Sequence, residues 1–301
     1  MNAIVKNKSE AELLKLFTEI SNLLDLELEF EFEGLKEGGI KEIIKYFKKK
    51  KTKRKLSQII IFFGAILSGV LINVVSDYVN KDSDLDELNK EEKRLNILKL
   101  KNDLEKDSLS ELEKKQIVDS IIFLLADVHK VKVFKSRYYK NIKNEPKVRQ
   151  ISTTELDENY VPISKEHIIE RKQFKDQILE NENLEPKTIY DANIEIISPV
   201  LKQGSIKWKG IYDGKHINFT LVDTEFKNAV LNKLYSFSNG TSIRCRLEII
   251  LTIDEDGQEI IREAKVYDVL EVYDGIQTHT TKKAKNIKEI ENQVRLNFDD
   301  N

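Results

Sequence analysis

The sequence predicts an α+β chain with an N-terminal helix-and-strand part around one long apolar helix. A small β-rich module follows, barrel- or sandwich-like, with one inserted helix. Three observations carry this. Leu56–Val79, LSQIIIFFGAILSGVLINVVSDYV, is the only long apolar run in a chain whose residues are 34% charged. The apolar period changes from 3.6 to 2 near Pro186. The dipeptides Asp213-Gly214 and Asp256-Gly257 mark tight turns between alternating stretches. These signals divide the chain into an α+β part at 1–183, a β-rich module at 185–275 and a flexible charged tail at 276–301.

In chain order, Ser9–Leu24 reads as a helix, with Ser9 and Glu12 as a capping box and Leu13, Leu16, Phe17, Ile20, Leu23 and Leu24 on one stripe. Leu26–Glu33, LELEFEFE, alternates without a break and reads as a strand, apolar on one face and carrying four carboxylates on the other. Gly34, Gly38 and Gly39 are expected to end it. Ile40–Phe47 reads as a short amphipathic helix running into the basic cluster Lys48–Lys55. Within the apolar run, Ile59–Val75 holds seventeen residues without an ionisable side chain. That length lies at the lower edge of a bilayer span, about 17–25 residues. Residues 82–128 read as a charged helical hairpin. A leucine stripe (Leu85, Leu88, Leu95, Leu98, Leu104) marks its first arm, and the Ser110–Glu113 capping box opens the second.

Residues 129–149 turn basic, with eight Lys or Arg against the single acid Glu145. Val148–Thr154 reads as a strand, Ser164–Leu179 as an amphipathic helix and Asn181–Lys187 as a linker. Beyond it, Ile194–Val200, Ile206–Ile211 and Lys215–Val222 read as strands and Thr224–Leu234 as a helix capped by Asp223 or Thr224. Ser242–Ile253 and Glu259–Val272 form a hairpin. A module of about five strands with one helix has the size of an OB-like or SH3-like barrel.

Composition narrows the function. The net charge of −2 argues against a generically nucleic-acid-binding protein. The lone Cys245 excludes an internal disulfide and CxxC chemistry. Residues 1–20 lack the apolar core of a secretory signal. His129, His167, His216 and His279 are scattered, and no nucleotide-binding or hydrolase signature is present. No cofactor, metal set or catalytic residue is therefore assigned, and a non-enzyme is expected. Asp254, Glu255 and Asp256 crowd one turn; the hairpin reading precedes a cation site.

Two stretches are candidate surfaces. Lys130, Lys132, Lys135, Arg137, Lys140 and Lys143, interleaved with Phe134, Tyr138 and Tyr139, suit phosphate contacts and base stacking. Against that, Val131, Phe134, Tyr138 and Ile142 fall at helical spacing and can pack inward. Gly64, Ser68 and Gly69 give small-xxx-small spacing, which suits close helix packing in protein or in a bilayer. A span through Leu56–Val79 would hold Lys48–Lys55 in the cytoplasm and export residues 80–301, which conflicts with the second basic cluster. A buried helix or an oligomer interface is therefore placed ahead of a span, with peripheral membrane association between them. Trp208 and Tyr212 read as core before they read as an exposed aromatic platform.

Three stretches resemble a family of uncharacterised bacterial proteins: LELEFEFEGLKEGGIKEII with the apolar run behind it, KSRYYKNIKNEPKVRQI, and SPVLKQGSIKWKGIYDGKHINF…DTEF…FSNGTSIRCRLEI. Some relatives occur near mobile or antiviral gene clusters. The resemblance implies the division into parts and an accessory role in such a system, and assigns no catalytic or binding residue. The expectation is a bacterial, cytoplasmic, non-enzymatic binding or assembly protein that engages a protein partner or a second copy as a homo-oligomer. The alternatives are a membrane-associated effector acting through 56–79 and a single-stranded nucleic-acid-binding accessory protein using 129–149.

Overall fold

The computed structural model describes residues 2–36, 41–48, 60–68, 90–104, 106, 108–154, 156, 159–162 and 165–286. The chain divides into two compact units, Met1–Asn181 and Glu182–Asn301.

The first unit opens with α1 (Ala3–Leu23), which begins earlier than the sequence suggests. The Asn2 side chain accepts from Ile4 N and supplies the cap. Ser9 is mid-helix, and its hydroxyl donates to Val5 O at 2.7 Å. At the other end the Lys101 ammonium donates to Leu24 O, placing a cation where the helix leaves carbonyls unpaired.

Strand β1 (Leu28–Lys36) runs through Gly34, with a register shift between Glu33 and Lys36. It pairs antiparallel with β2 (Lys41–Lys48), so the helix expected at Ile40–Phe47 is a strand. Local periodicity was ambiguous there. Ile43, Ile44, Tyr46 and Phe47 are β-branched or aromatic, and β1 offers an open edge that needs a partner.

Of the apolar run, α2 (Ile60–Ser68) is described; the rest of 56–79, including Gly69, lies outside the described residues, as does 49–55. Phe62, Phe63, Ile66, Leu67 and Ser68 are buried. Phe63 meets Phe17 of α1 and Phe30 of β1 at centroid separations of 4.8 and 5.6 Å. Among the described residues no helix is long and apolar enough to cross a membrane.

Helices α3 (Lys90–Leu104) and α4 (Glu111–Asp127) form the charged hairpin. The Ser110–Glu113 box is present, with Glu113 Oε2 accepting from Ser110 N at 2.8 Å. Of the expected leucine stripe, Leu85 and Leu88 lie outside the described residues, Leu98 and Leu104 are half-buried and Leu95 is exposed; Ile97 and Lys101 are the buried residues of α3. Helix α5 (His129–Lys143) packs along α1. Strands β3 (Gln150–Thr153) and β4 (His167–Glu170) pair with Ile151 opposite Ile169. A 3-10 turn, Arg171–Gln177, follows, so Ser164–Leu179 is not one helix. Pairing with β3 holds Ile168 outward and Ile169 inward, in the alternation of a strand. The Arg171 guanidinium then closes the end of α5, donating to the carbonyls of Lys143, Glu145 and Val148.

The second unit is a barrel. Its strands are β5 (Lys187–Ser198), β6 (Trp208–Tyr212), β7 (Lys215–Leu221), β8 (Ser242–Ile253) and β9 (Glu259–Tyr273), with α6 (Thr224–Leu231) between β7 and β8. β5, β6 and β7 form a meander, β7 pairs parallel with β9, β9 pairs with β8, and β8 returns to β5. A meander, a helix and a hairpin closed in this order make a five-stranded barrel of the OB type. Asp213 and Gly214 both have positive φ, 50° and 71°, as a two-residue hairpin of primed type requires. Trp208, Phe219, Cys245, Val266 and Val269 fill the interior, and Phe226 and Val230 of α6 close it. The segment after 275 is not wholly a free tail. β10 (Thr278–Thr280) pairs with β9, and the Thr281 hydroxyl donates to Val269 O at 2.8 Å.

Candidate ligand-binding face

Alternation along the barrel strands puts apolar side chains inside and leaves the outer surface to charged and polar ones. That surface is not uniform. On β5, β8 and β9 the charges are tied to one another across strands. Arg244 donates to Asp191 and lies 3.4 Å from Glu271. Arg246 pairs with Asp268 at 2.7 Å and stands over the Tyr267 ring. Asp268 also takes Lys283, and Lys265 sits between Glu263 and Glu248. The hydrogen bond from Arg244 holds the Asp191 carboxyl below its ordinary range. A shallow polar depression of about 430 Å³ lies here, lined by Asp191, Asn193, Arg244, Glu271 and Tyr273.

The β6–β7 side differs. Lys207 and Lys209 flank the buried Trp208 and point outward. Asn218 registers opposite Lys209, and His216 opposite Ile211. Lys202, Lys207 and Lys209 form no ion pair among the described residues. The acidic neighbours are Glu195, which registers with Ile211, and Asp213 in the turn.

The loop from Pro199 to Lys207 joins β5 to β6 at this edge. Val200 turns into the core, and Lys227 of α6 donates to Gly204 O at 2.7 Å. Ile197, Leu201 and Ile206 are left in solvent, 48%, 65% and 61% exposed. An anchored loop thus presents aliphatic side chains next to unpaired ammonium groups.

The residues singled out in the sequence sit elsewhere. On α5 the rings of Phe134, Tyr138 and Tyr139 are buried, so they offer no stacking surface. Lys132 pairs with Asp127, and burial pushes the Lys135 ammonium down to about 8. Lys130 and Arg137 are half-buried. Lys140 and Lys143 are exposed in the last turn, where the helix dipole favours cations. The six cations are therefore not gathered on one free face. At Gly64 an added Cβ would meet nothing within 4 Å among the described residues, so no described helix approaches closely there. Ser68 is buried, its hydroxyl donating to Ala65 O at 3.2 Å.

Asp254 Oδ1 accepts from Asp256 N and Gln258 N, closing the acidic turn on itself. Burial pushes the Cys245 thiol up to about 12, so it packs as a small apolar group. Trp208 is interior, and Tyr212 packs against the same core. Among the described residues no group of three or more His, Cys, Asp or Glu can hold a metal ion.

The β6–β7 lysines and the loop were missed in the sequence. Their signal was the alternation in IKWKG, where a core tryptophan separates two lysines. No family model matches the chain, no curated protein matches it and no solved structure matches it.

Proposed function

We propose that this chain is a non-enzymatic binding and assembly protein whose C-terminal barrel engages an anionic partner through the β6–β7 side. The supporting observation is the contrast in charge pairing. Lys202, Lys207 and Lys209 have no ion-pair partner among the described residues, while the arginines of β8 are held by carboxylates. Unpaired ammonium groups, Lys209 on β6 and Lys202 and Lys207 in the loop that leads into it, favour a negative ligand. A barrel core filled by side chains, with its thiol packed away, leaves recognition to the outer surface. The resemblance to bacterial proteins found near antiviral and mobile gene clusters supports an accessory role. The N-terminal unit, whose β1–β2 hairpin has no further strand on either edge among the described residues, is the part assigned to joining copies.

Heparin serves as a generic polyanion for the test. Wild-type protein should be retained and elute with salt, and Lys207→Glu/Lys209→Glu should elute much earlier. Equal elution of the two would sink the reading.

A further inference from the structure

We propose that the partner is an anionic bilayer surface, on which the β5–β6 loop docks by burying Leu201 and Ile206 while Lys202 and Lys207 meet lipid phosphates. This rests on the reading above and names its ligand.

Charge alone does not choose among polyanions; the loop's apolar content does. Leu201 and Ile206 stand on either side of Lys-Gln-Gly-Ser, each followed by a lysine, and Ile197 sits at the β5 bulge that precedes the loop. All three are large aliphatics in solvent. A single exposed leucine needs no explanation, but an aliphatic–lysine pair repeated within one hairpin loop matches the surface of a membrane interface. There, aliphatic side chains leave water for the acyl boundary, and each nearby ammonium gains attraction to anionic headgroups. A nucleic-acid strand makes a poorer occupant. It is held by flat rings, and among the described residues Trp208, between the two lysines, is buried in the core and the register partner of Lys209 is Asn218.

The loop is also built to hold this shape. Gly204 sits at φ 139°, which L side chains rarely adopt, and its carbonyl is pinned by Lys227. Val200 plugs the core directly before Leu201. The loop therefore presents Leu201 and Ile206 without first having to order.

The test is flotation of the full chain with phosphatidylcholine vesicles, with and without phosphatidylglycerol, beside heparin and an oligothymidine. Trp208 is the chain's single tryptophan and lies in the barrel core, so its emission checks that each variant is folded. Wild-type protein should float with the anionic vesicles and not with the neutral ones. Leu201→Asp/Ile206→Asp and Lys202→Glu/Lys207→Glu should each weaken partitioning on the order of tenfold. No flotation with anionic vesicles overturns the inference. Flotation unchanged in both variants overturns it too, and assigns the binding to another part of the chain. Oligothymidine binding that survives Leu201→Asp/Ile206→Asp, without flotation, replaces lipid by nucleic acid and leaves the cationic face standing. Absence of heparin retention removes the face itself.

Discussion

The hydroxyl of Tyr139 donates to the backbone carbonyl of Leu67 at 2.7 Å, in a buried site where α5 meets the end of α2. Residues 72 apart in sequence are thereby joined, and the described end of the apolar run is fastened to protein. Burial also raises the Tyr139 pKa above its ordinary value, so the phenol stays a donor throughout the working pH range. Tyr139→Phe keeps the ring against Phe174 and Tyr138 and removes the phenol's hydrogen bond to the carbonyl. The expected loss is about 1–3 kcal/mol, measured by urea unfolding of the full chain. A loss near zero would mean that Leu67 O finds water.

Two glycines should respond oppositely to alanine. At Gly64 a methyl group meets no described atom, and Gly costs a helix interior up to about 1 kcal/mol relative to Ala. Gly64→Ala should therefore be neutral or stabilising. At Gly210 the new Cβ would lie 2.6 Å from Ile194 Cγ2 and 2.7 Å from Glu195 O. Strands β5 and β6 would have to part, and Gly210→Ala should cost roughly 1–3 kcal/mol. Trp208 fluorescence follows the barrel and reads Gly210→Ala, and helical circular dichroism during urea unfolding reads Gly64→Ala.

Asp223 ties α6 to the barrel. Its Oδ1 accepts from Phe226 N and its Oδ2 from Val269 N, both at 3.0 Å, within a fully packed setting. Asp223→Ala removes a cap and leaves a buried N–H of β9 unpaired, at a combined cost of about 2–4 kcal/mol. Asp223→Ser should recover the cap and not the β9 bond. A serine variant as stable as wild type would show that the Val269 contact contributes nothing.

Asp127 gives the first unit a pH-dependent contact. Burial alone would raise its pKa; the ammonium groups of Lys132 and Lys93 outweigh that and hold it below the ordinary carboxylate value. A folded-state pKa below the unfolded one stabilises fully above the unfolded value of about 3.9, and the contribution fades as pH falls through the folded value. The difference in melting temperature between wild type and Asp127→Asn should accordingly be largest near neutrality and shrink in acid. A difference independent of pH would assign the effect to packing.

The barrel's strands were legible in the sequence because their signals are local. Ser242–Ile253 alternates residue by residue, Asp213-Gly214 suits a primed turn, and Asp223 precedes a short amphipathic stretch. The Ser110–Glu113 box is equally self-contained, closing over three residues. Tertiary structure decided what local period leaves open. Ile40–Phe47 and Ser164–Leu179 fit a helix stripe, yet in each a neighbouring strand with unpaired backbone groups claimed residues as its partner. It also decided the candidate site. That Lys207 and Lys209 alternate with Trp208 is written in the chain. That they lack counter-charges follows from the barrel's closure, which sets Arg244 beside Asp191 and Glu271 and gives the lysines no equivalent neighbour. Alternation is a property of adjacent residues, whereas charge compensation belongs to residues brought together from far along the chain; only the fold fixes the second.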